Sequence, residues 1–251
     1  MDRQELMAYL DQCLQPERFN DYCPNGLQVE GKKAINKIIT GVTACQALLD
    51  RAVKEQADLI LVHHGYFWKN EQPNIIGMKK KRLKTLLMAD INLVAYHLPL
   101  DAQVQFGNNV QLAKHLGIEI DGEILNYQGM GLLLTGHLPQ PATGSEFAAL
   151  IAKKLDRTPL HIGQDDTKIN TVAWCTGAAP DLIELVVQAG VDAYLTGEAA
   201  ERTVHIARET GVHFYAAGHH ATERYGIKAL GEHLAERFGL TVKFIDIDNP
   251  I

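Results

Sequence analysis

Short apolar runs alternate with amphipathic segments over the first half of this chain. The runs at 35–42, 59–62 and 91–96 are rich in valine, isoleucine and leucine and are bounded by polar or turn-forming residues, as buried strands are. Between the first two runs, residues 44–56 place their apolar side chains on one face of a helix. This alternation predicts an α/β fold built from parallel strands with connecting helices.

The pattern changes after Gly117. Residues 122–141 combine glycines with short apolar runs, among them Gly129-Met130-Gly131, and this is typical of an antiparallel or edge segment. A helix over 143–154 and a short strand at 160–162 follow, and strand–helix alternation resumes at 169–175. We therefore predict two similar α/β lobes, 1–125 and 126–251, with an approximate boundary and shared terminal elements.

Composition narrows the class of protein. With 251 residues and 46% apolar content, the chain can bury a substantial core, and its formal charge of -6 excludes a general basic field for nucleic acid or anionic lipid. The four cysteines form no C-x-x-C pair, which argues against a thiolate zinc site and for a reducing cytoplasm. The charged N-terminus reads as an amphipathic helix and not as a signal peptide, and no apolar run could span a bilayer.

Histidines and carboxylates follow the C-terminal ends of predicted strands, the edge at which open parallel sheets bind ligands. A single histidine and carboxylate four residues apart on a helix are usually a solvated pair. The occurrence of such groups at several strand ends is therefore what indicates a functional site. Three strand ends have such groups: His63 with His64, His97 with Asp101, and His219 with Glu223.

An internal repeat connects these strand ends. Residues 38–64 correspond to 172–198, so that His64 matches Glu198, and the following segments match His97 with His219 and Asp101 with Glu223. Both carboxylates precede a glycine by sixteen residues. A period near 120 residues is too long for a solenoid and predicts two lobes related by a pseudo-twofold axis, whose strand ends face one cleft.

Imidazole nitrogens and carboxylate oxygens suit zinc, iron, manganese, cobalt or nickel. One ion would leave ligands over, whereas two ions bridged by a carboxylate would use them and would generate a bound hydroxide near neutral pH, which is hydrolase chemistry. Adjacent His63 and His64 would point to opposite faces of a continuing strand, but Gly65 indicates that the strand ends there.

Other residues are candidates for orienting the ligands or carrying protons, although each is as often structural. We consider His97 and Glu198 the catalytic candidates, as proton relays. The loop 66–77 either lines a pocket or packs, and the basic run 79–82 is either a solvated face or a phosphate contact. The remaining supporting candidates are Thr43, Tyr96 and His220, and the histidines outside the motifs are His115, His137, His161, His205, His213 and His233.

Five motifs together give the chain a family resemblance over essentially its full length. They are Asn25-Gly26-Leu27-Gln28-Val29, Val62-His63-His64-Gly65, His97-Leu98-Pro99-Leu100-Asp101, Thr196-Gly197-Glu198 and Gly218-His219-His220-Ala221-Thr222-Glu223. On these motifs the chain resembles the NIF-three-like family. The resemblance implies a two-lobed α/β fold, a dinuclear metal site facing an internal cavity, and a homohexameric ring that is a trimer of dimers.

Carried over motif by motif, the resemblance implies five metal ligands, with Glu223 as the bridge. These are His63, His64, Asp101, His219 and Glu223. His97 is the repeat partner of His219 but is not a usual ligand of the family, so the repeat predicts one ligand more than the resemblance implies. Family members are named GTP cyclohydrolase I type 2 homologues, which implies hydrolytic opening of a purine-type ring.

Two functional hypotheses follow. The first is a hydrolase with two divalent metal ions per subunit, zinc, iron, manganese, cobalt or nickel, acting on a nucleotide or related heterocycle. The second is a non-catalytic metal-binding ring scaffold that presents its surface to a protein or nucleic-acid partner. The sequence has no P-loop, and neither hypothesis involves a membrane.

Overall fold

The computed structural model describes residues 1–124 and 132–251, which form an α/β fold with two sheets. Contacts divide the chain into two compact units, residues 1–107 with 226–248 and residues 108–225 with 249–251. The predicted antiparallel segment at Gly129–Gly131 and the predicted lobe boundary at 125–126 lie outside the described residues, and this boundary stays a prediction.

The described residues contain the following helices and strands in chain order: α1 (Arg3–Leu14), β1 (Gly26–Val29), β2 (Lys37–Thr43), α2 (Gln46–Lys54), β3 (Leu59–His64), α3 (Gly77–Ala89), β4 (Asn92–Ala95), α4 (Leu98–Ala102), α5 (Asn108–Leu116), β5 (Glu119–Ile124), β6 (Leu133–Thr143), α6 (Gly144–Leu155), β7 (Leu160–Ile162), β8 (Lys168–Trp174), α7 (Ile183–Ala189), β9 (Ala193–Thr196), α8 (Glu201–Thr210), β10 (His213–Ala216), α9 (His219–Phe238) and β11 (Thr241–Phe244). Short 3₁₀ turns occupy Pro16–Arg18 and Pro180–Leu182.

The first unit contains a five-stranded sheet in the order β1-β4-β3-β2-β11. Strands β11, β2, β3 and β4 are parallel neighbours, and β1 pairs antiparallel with β4. Strand β3 has a continuous apolar sequence and not an alternating one. Its side chains alternate between two core clusters, Leu59 and Leu61 in one and Ile60 and Val62 in the other, because both faces of the sheet are covered.

The second unit contains a six-stranded sheet in the order β5-β6-β8-β9-β10-β7. Strands β8, β9 and β10 are parallel, whereas β5, β6 and β7 pair antiparallel. The antiparallel pairing predicted for this part of the chain is thus confirmed for β5 and β6. The side chain of Thr143 accepts a hydrogen bond from the Glu146 N–H in a capping box, which confirms the predicted start of α6.

Membrane-spanning segments are a separate question. Among residues 1–124 and 132–251, every helix is too short or too polar to cross a bilayer.

A buried carboxylate joins the starts of β2 and β3 in the first unit. Asp58 accepts hydrogen bonds from the backbone N–H groups of Asn36 at 3.0 Å and Lys37 at 3.1 Å, and from the Lys32 ammonium at 2.9 Å. Burial raises the pKa of the Asp58 carboxyl, but these donors outweigh burial and lower the pKa below its usual range.

Asp192 has the same role before β9 in the second unit. Its carboxylate accepts from the N–H groups of Asn170 at 3.0 Å and Thr171 at 2.9 Å, and from the Thr171 hydroxyl at 2.9 Å. Burial raises the pKa of Asp192 and the three donors lower it to below its usual value. In each unit, one carboxylate therefore aligns two neighbouring parallel strands.

Replacing either carboxylate should destabilise the protein in a pH-dependent way. Asp58→Asn and Asp192→Asn should each lower the free energy of unfolding at pH 7 by about 1–3 kcal/mol, because a neutral amide oxygen accepts the backbone N–H groups more weakly than a carboxylate oxygen does and, at position 58, the ion pair with Lys32 is also lost. A depressed folded-state pKa stabilises above the unfolded pKa, so the penalty should shrink as pH falls below about 4. Urea unfolding of the parent and the variants at a series of pH values measures this loss in the free energy of unfolding. Exposed Asp166→Asn is the control, and a penalty that is constant with pH would contradict the assignment.

Candidate metal centre

The first unit places two adjacent histidines at the C-terminal end of β3. His63 is fully buried, and its ring centroid lies 4.4 Å from that of His64. The strand ends at His64, and a Cβ on the following Gly65 would lie 2.2 Å from Gln28 Oε1. The glycine therefore permits the close packing of this turn against Gln28, directly after the two histidines.

The hydrogen bond of His63 defines its tautomer. His63 Nδ1 lies 3.0 Å from the carbonyl oxygen of Tyr96, which can only accept, so Nδ1 carries the hydrogen. In the neutral ring, Nε2 then presents a lone pair, and this atom lies 3.5 Å from Asp101 Oδ1. A lone pair facing a carboxylate oxygen is favourable only with a cation at that position, either a proton or a metal ion.

Helix α4 holds Asp101, which is 7% exposed. The helix begins directly after β4, with His97 as its N-terminal cap residue and Pro99 in its first turn. The backbone N–H of Asp101 donates a hydrogen bond to the His97 carbonyl at 3.2 Å, which forms the first turn of the helix. The proline and the short connection thus turn Asp101 back toward the end of β3.

His97 is fixed by groups from the segment before β1. Its Nδ1 donates to Asp21 Oδ1 at 2.7 Å, and its backbone N–H donates to Asn25 Oδ1 at 2.7 Å. The other oxygen of Asp21 accepts the N–H of Leu98 at 3.0 Å. Burial raises the pKa of Asp21, but its hydrogen bonds, chiefly that from His97, lower it overall. Asp21 was not among the residues predicted from the sequence, where its only signal is its proximity to the Asn25-Gly26 motif.

Two groups of metal-ligating side chains lie within this unit. Donor atoms of His63, His64 and His97 lie within 4.8 Å of one another, and so do those of Asp21, Cys23 and His97. The second group was not predicted, because Cys23 has no second cysteine at zinc-ligand spacing. Burial raises the pKa of the Cys23 thiol to about 12, which favours the neutral thiol over a thiolate ligand.

Aromatic and polar side chains surround these histidines. Thr43 Oγ1 lies 3.1 Å from His64 Nδ1, and the Trp68 ring lies 5.0 Å from that of His97. The indole N–H of Trp68 donates to the Gly65 carbonyl at 3.2 Å. The loop 66–77 thus packs against the histidines at Trp68, whereas Lys79, the first residue of the basic run, pairs with Glu71 of that loop at 3.4 Å.

The second unit brings His219 and Glu223 together in the first turns of α9. His219 Nε2 lies 3.1 Å from Glu223 Oε2, and Glu223 is 2% exposed. On the other side of the ring, His219 Nδ1 donates to Glu198 Oε1 at 2.6 Å. Burial disfavours the charged ring, but the two carboxylates outweigh it and raise the pKa of His219 to about 9. This position therefore attracts a cation strongly.

Glu198 contacts the candidate ligand His219, and this contact is the one that ligand orientation requires, which is one of the two roles considered for Glu198 from the sequence. A carboxylate on the far nitrogen of a ligating histidine fixes its tautomer and increases its basicity. His220 is buried, and its backbone N–H donates to the Ile251 carbonyl at 2.9 Å. The backbone contact explains its position at the start of α9 but assigns no role to its ring.

A glycine turn after β8 leaves room for Glu223. Gly177 has φ +70°, and a Cβ there would lie 2.2 Å from Glu223 Oε1 and 3.2 Å from His219 Nε2. The Gly177 N–H donates to Thr222 Oγ1 at 3.1 Å, and its carbonyl accepts the Gly197 N–H at 2.7 Å. Both conformation and space therefore require glycine.

The donor chemistry of these residues fits a divalent metal. His63 and His219 each donate from Nδ1 to an oxygen that can only accept, so Nε2 is the nitrogen that each neutral ring would offer to a metal ion. Each Nε2 also lies within 3.5 Å of a buried carboxylate oxygen. Neutral imidazole with carboxylate is a ligand set for zinc and for the divalent ions of iron, manganese, cobalt and nickel.

Comparison with known proteins decides the family. The family profile described as Duf34/NIF3 (NGG1p interacting factor 3) matches residues 1–250. The chain belongs to the Duf34/NIF3 family. A Vibrio cholerae member named GTP cyclohydrolase 1 type 2 homolog is 54% identical over 253 residues, covering 100% of both chains.

Solved structures of Duf34/NIF3 relatives share the fold. The protein ybgI, described as of unknown function, has a TM-score of 0.95 at 53% identity, with 100% of both chains covered. TTHA1606 from Thermus thermophilus has a TM-score of 0.88 at 37% identity, again over 100% of both chains. The family resemblance inferred from the sequence motifs is thus confirmed.

Gly177→Ala should disturb the second unit more than a matched glycine substitution. Gly190 has φ +68°, and a Cβ added there would have no atom within 4 Å, so Gly190→Ala should cost only the left-handed backbone energy, about 1 kcal/mol. Gly177→Ala adds the collision with Glu223 and should cost at least ~2 kcal/mol. Urea unfolding in the presence of a chelator measures both, and equal penalties would contradict the steric argument.

Proposed function

We propose that this protein binds two divalent metal ions per subunit and is a metal-dependent hydrolase of a nucleotide or related heterocycle. The proposed ligands are His63, His64, Asp101, His219 and Glu223, with Glu223 as the bridge. The observation that carries the proposal is the pairing of Nε2 atoms with buried carboxylate oxygens in each unit. Zinc, iron, manganese, cobalt and nickel are the candidate ions.

The internal repeat is part of this proposal. In its support, each unit has the order β-α-β-α-β with three parallel strands, β2, β3 and β4 in one and β8, β9 and β10 in the other. Asp58 and Asp192, which are matched in the repeat, accept the same pair of backbone hydrogen bonds in the two units.

The ions, when bound, would polarise the substrate and supply hydroxide at neutral pH. The chain's own groups then have distinct tasks. The carbonyl of Tyr96 and the carboxylate of Glu198 hold His63 and His219 in the tautomers that ligation needs. Asp21 holds His97 with Nδ1 protonated, so that the opposite nitrogen of His97 is the proton acceptor. We therefore assign proton transfer to His97, and ligand orientation to Glu198.

The substrate class is supported by relatives. The Vibrio cholerae relative and a Yersinia pestis relative, 55% identical over 247 residues, are both named GTP cyclohydrolase 1 type 2 homolog. Hydrolytic opening of a purine-type ring is within the chemistry of a metal-bound hydroxide and a positioned proton carrier. The proposed setting is the reducing cytoplasm, which the four free cysteines support.

The assembly is proposed as a homohexameric ring, a trimer of dimers, from the family resemblance. A scaffold that binds metal without catalysis is the competing function, with a protein or nucleic-acid partner. The net charge of -6 opposes unspecific binding of nucleic acid by such a ring. Light scattering of the full chain measures the assembly, and a stable monomer would contradict the ring.

Metal content tests the ligand assignment. Tag-free protein purified without chelator should hold two ions per subunit by elemental analysis, and His219→Ala and Glu223→Ala should each lower this number. Glu198→Gln should lower metal affinity by roughly 10–100-fold, because it removes the carboxylate that orients His219. His205→Ala, an exposed histidine of α8, is the control. Parent-like metal content in His219→Ala and Glu223→Ala would mean that the ligands are misassigned.

Activity tests the hydrolase itself. Formate release from GTP and hydrolysis of a nucleotide panel should be assayed with each of the five metals. His97→Gln and Asp21→Asn should lower kcat by roughly 10²–10⁴-fold and leave metal content near that of the parent, because they remove or disorient the proton carrier. Silence across the panel with metal bound would support the scaffold.

A further inference from the structure

A second histidine pair lies in the second unit, on the antiparallel neighbours β7 and β10. His161 is paired with Tyr215 in the strand register, and His213 stands two residues before Tyr215, so the three rings share one face of the sheet. The His161 ring stacks on Tyr215 at 4.5 Å and 2°, and on His213 at 5.4 Å and 8°. Neither histidine belongs to the proposed metal ligands.

The two rings present nitrogens to each other. His161 Nε2 lies 3.1 Å from His213 Nδ1, and only one hydrogen can occupy the line between them. Two nitrogens bound to one tetrahedral zinc ion at 2.0–2.1 Å would be roughly 3.3 Å apart. A metal ion that replaced that hydrogen would therefore need the two nitrogens at nearly the separation that they already have. Asp165 Oδ1 lies 3.7 Å from His161 Nδ1, on the side where a carboxylate orients a ligating histidine.

Glycines keep side-chain atoms away from the nitrogen pair. A Cβ at Gly163 would lie 2.5 Å from His213 Nδ1 and 3.0 Å from His161 Nε2, and a Cβ at Gly144 would lie 2.8 Å from His213 Nδ1. The pair borders a cavity of about 460 Å³. The walls also include Gln164, Thr167 and Arg208. Water or an anion in this cavity has access to further coordination positions.

The electrostatic environment favours neutral rings. Burial lowers the pKa of His161 and of His213, and the nearby carboxylates of Asp165 and Asp192 only partly oppose this effect. Neutral imidazole is the form that binds metal. Arg208 is the cationic group of the cavity wall, and its charge would be balanced by an anion that completes the coordination of the ion.

We propose that His161 and His213 chelate a transition-metal ion, Cu²⁺ or Zn²⁺, at a site separate from the proposed dinuclear centre. The open coordination positions face the cavity. Cu²⁺ is the stronger binder of the two at nitrogen ligands, and it is the probe for the experiment. The proposal stands on the nitrogen separation, the two glycines and the cavity, and it does not rest on the proposed hydrolase function.

The test is a Cu²⁺ titration of tag-free full-length protein, followed by electron paramagnetic resonance. His161→Gln should remove one copper equivalent per subunit, together with the nitrogen hyperfine pattern of a two-imidazole site. The same loss should occur when His161→Gln is combined with His219→Ala, which separates this site from the proposed dinuclear centre. His205→Ala, in the same unit, should change neither the stoichiometry nor the spectrum.

A second variant retains both histidines. Gly163→Ala should lower Cu²⁺ affinity at least ~10-fold by crowding the nitrogen pair, while circular dichroism shows that the fold is retained. If His161→Gln and Gly163→Ala both fold and bind copper as the parent does, the pair is a structural hydrogen bond only and the proposal is overturned.

Discussion

Two contacts between an imidazole nitrogen and a buried carboxylate oxygen, His63 with Asp101 and His219 with Glu223, impose a strong electrostatic constraint on this protein. In each contact the far nitrogen donates to an oxygen that can only accept, so in the neutral ring the near nitrogen would face the carboxylate as a lone pair. Burial makes such an arrangement costly without a cation. The raised pKa of His219 expresses the same demand in the form of a proton.

The backbone around these contacts is built to hold them. A strand carries His63 to the sheet edge, and helix N-termini that follow strands directly present Asp101 and Glu223. Gly177 provides the space that Glu223 occupies, and a side chain there would meet the carboxylate. Asp58 and Asp192 tie the starts of neighbouring strands together through the backbone, which fixes the alignment of these strands. Fixed ligands lose less entropy on binding an ion.

The His161–His213 pair shows how the same chemistry can arise on a sheet face. Neither histidine follows a strand end in the manner of His63, and no motif joins them, because they are 52 residues apart on strands of opposite direction. What they share with the ligands proposed for the dinuclear centre is partial or full burial and a nearby carboxylate.

The strand–helix alternation, the helix that begins near residue 143 and the histidines at strand ends were predicted from the sequence, because periodicity and strand termini are local properties, whereas strand β1 was not predicted. The five sequence motifs also predicted the family to which the chain belongs. Tertiary structure alone decided that β11 pairs with β2, that β1 adds antiparallel to β4, that Asp21 binds His97 and that His161 meets His213. These contacts join residues distant in sequence, and their energy comes from sheet pairing and burial that no local pattern encodes.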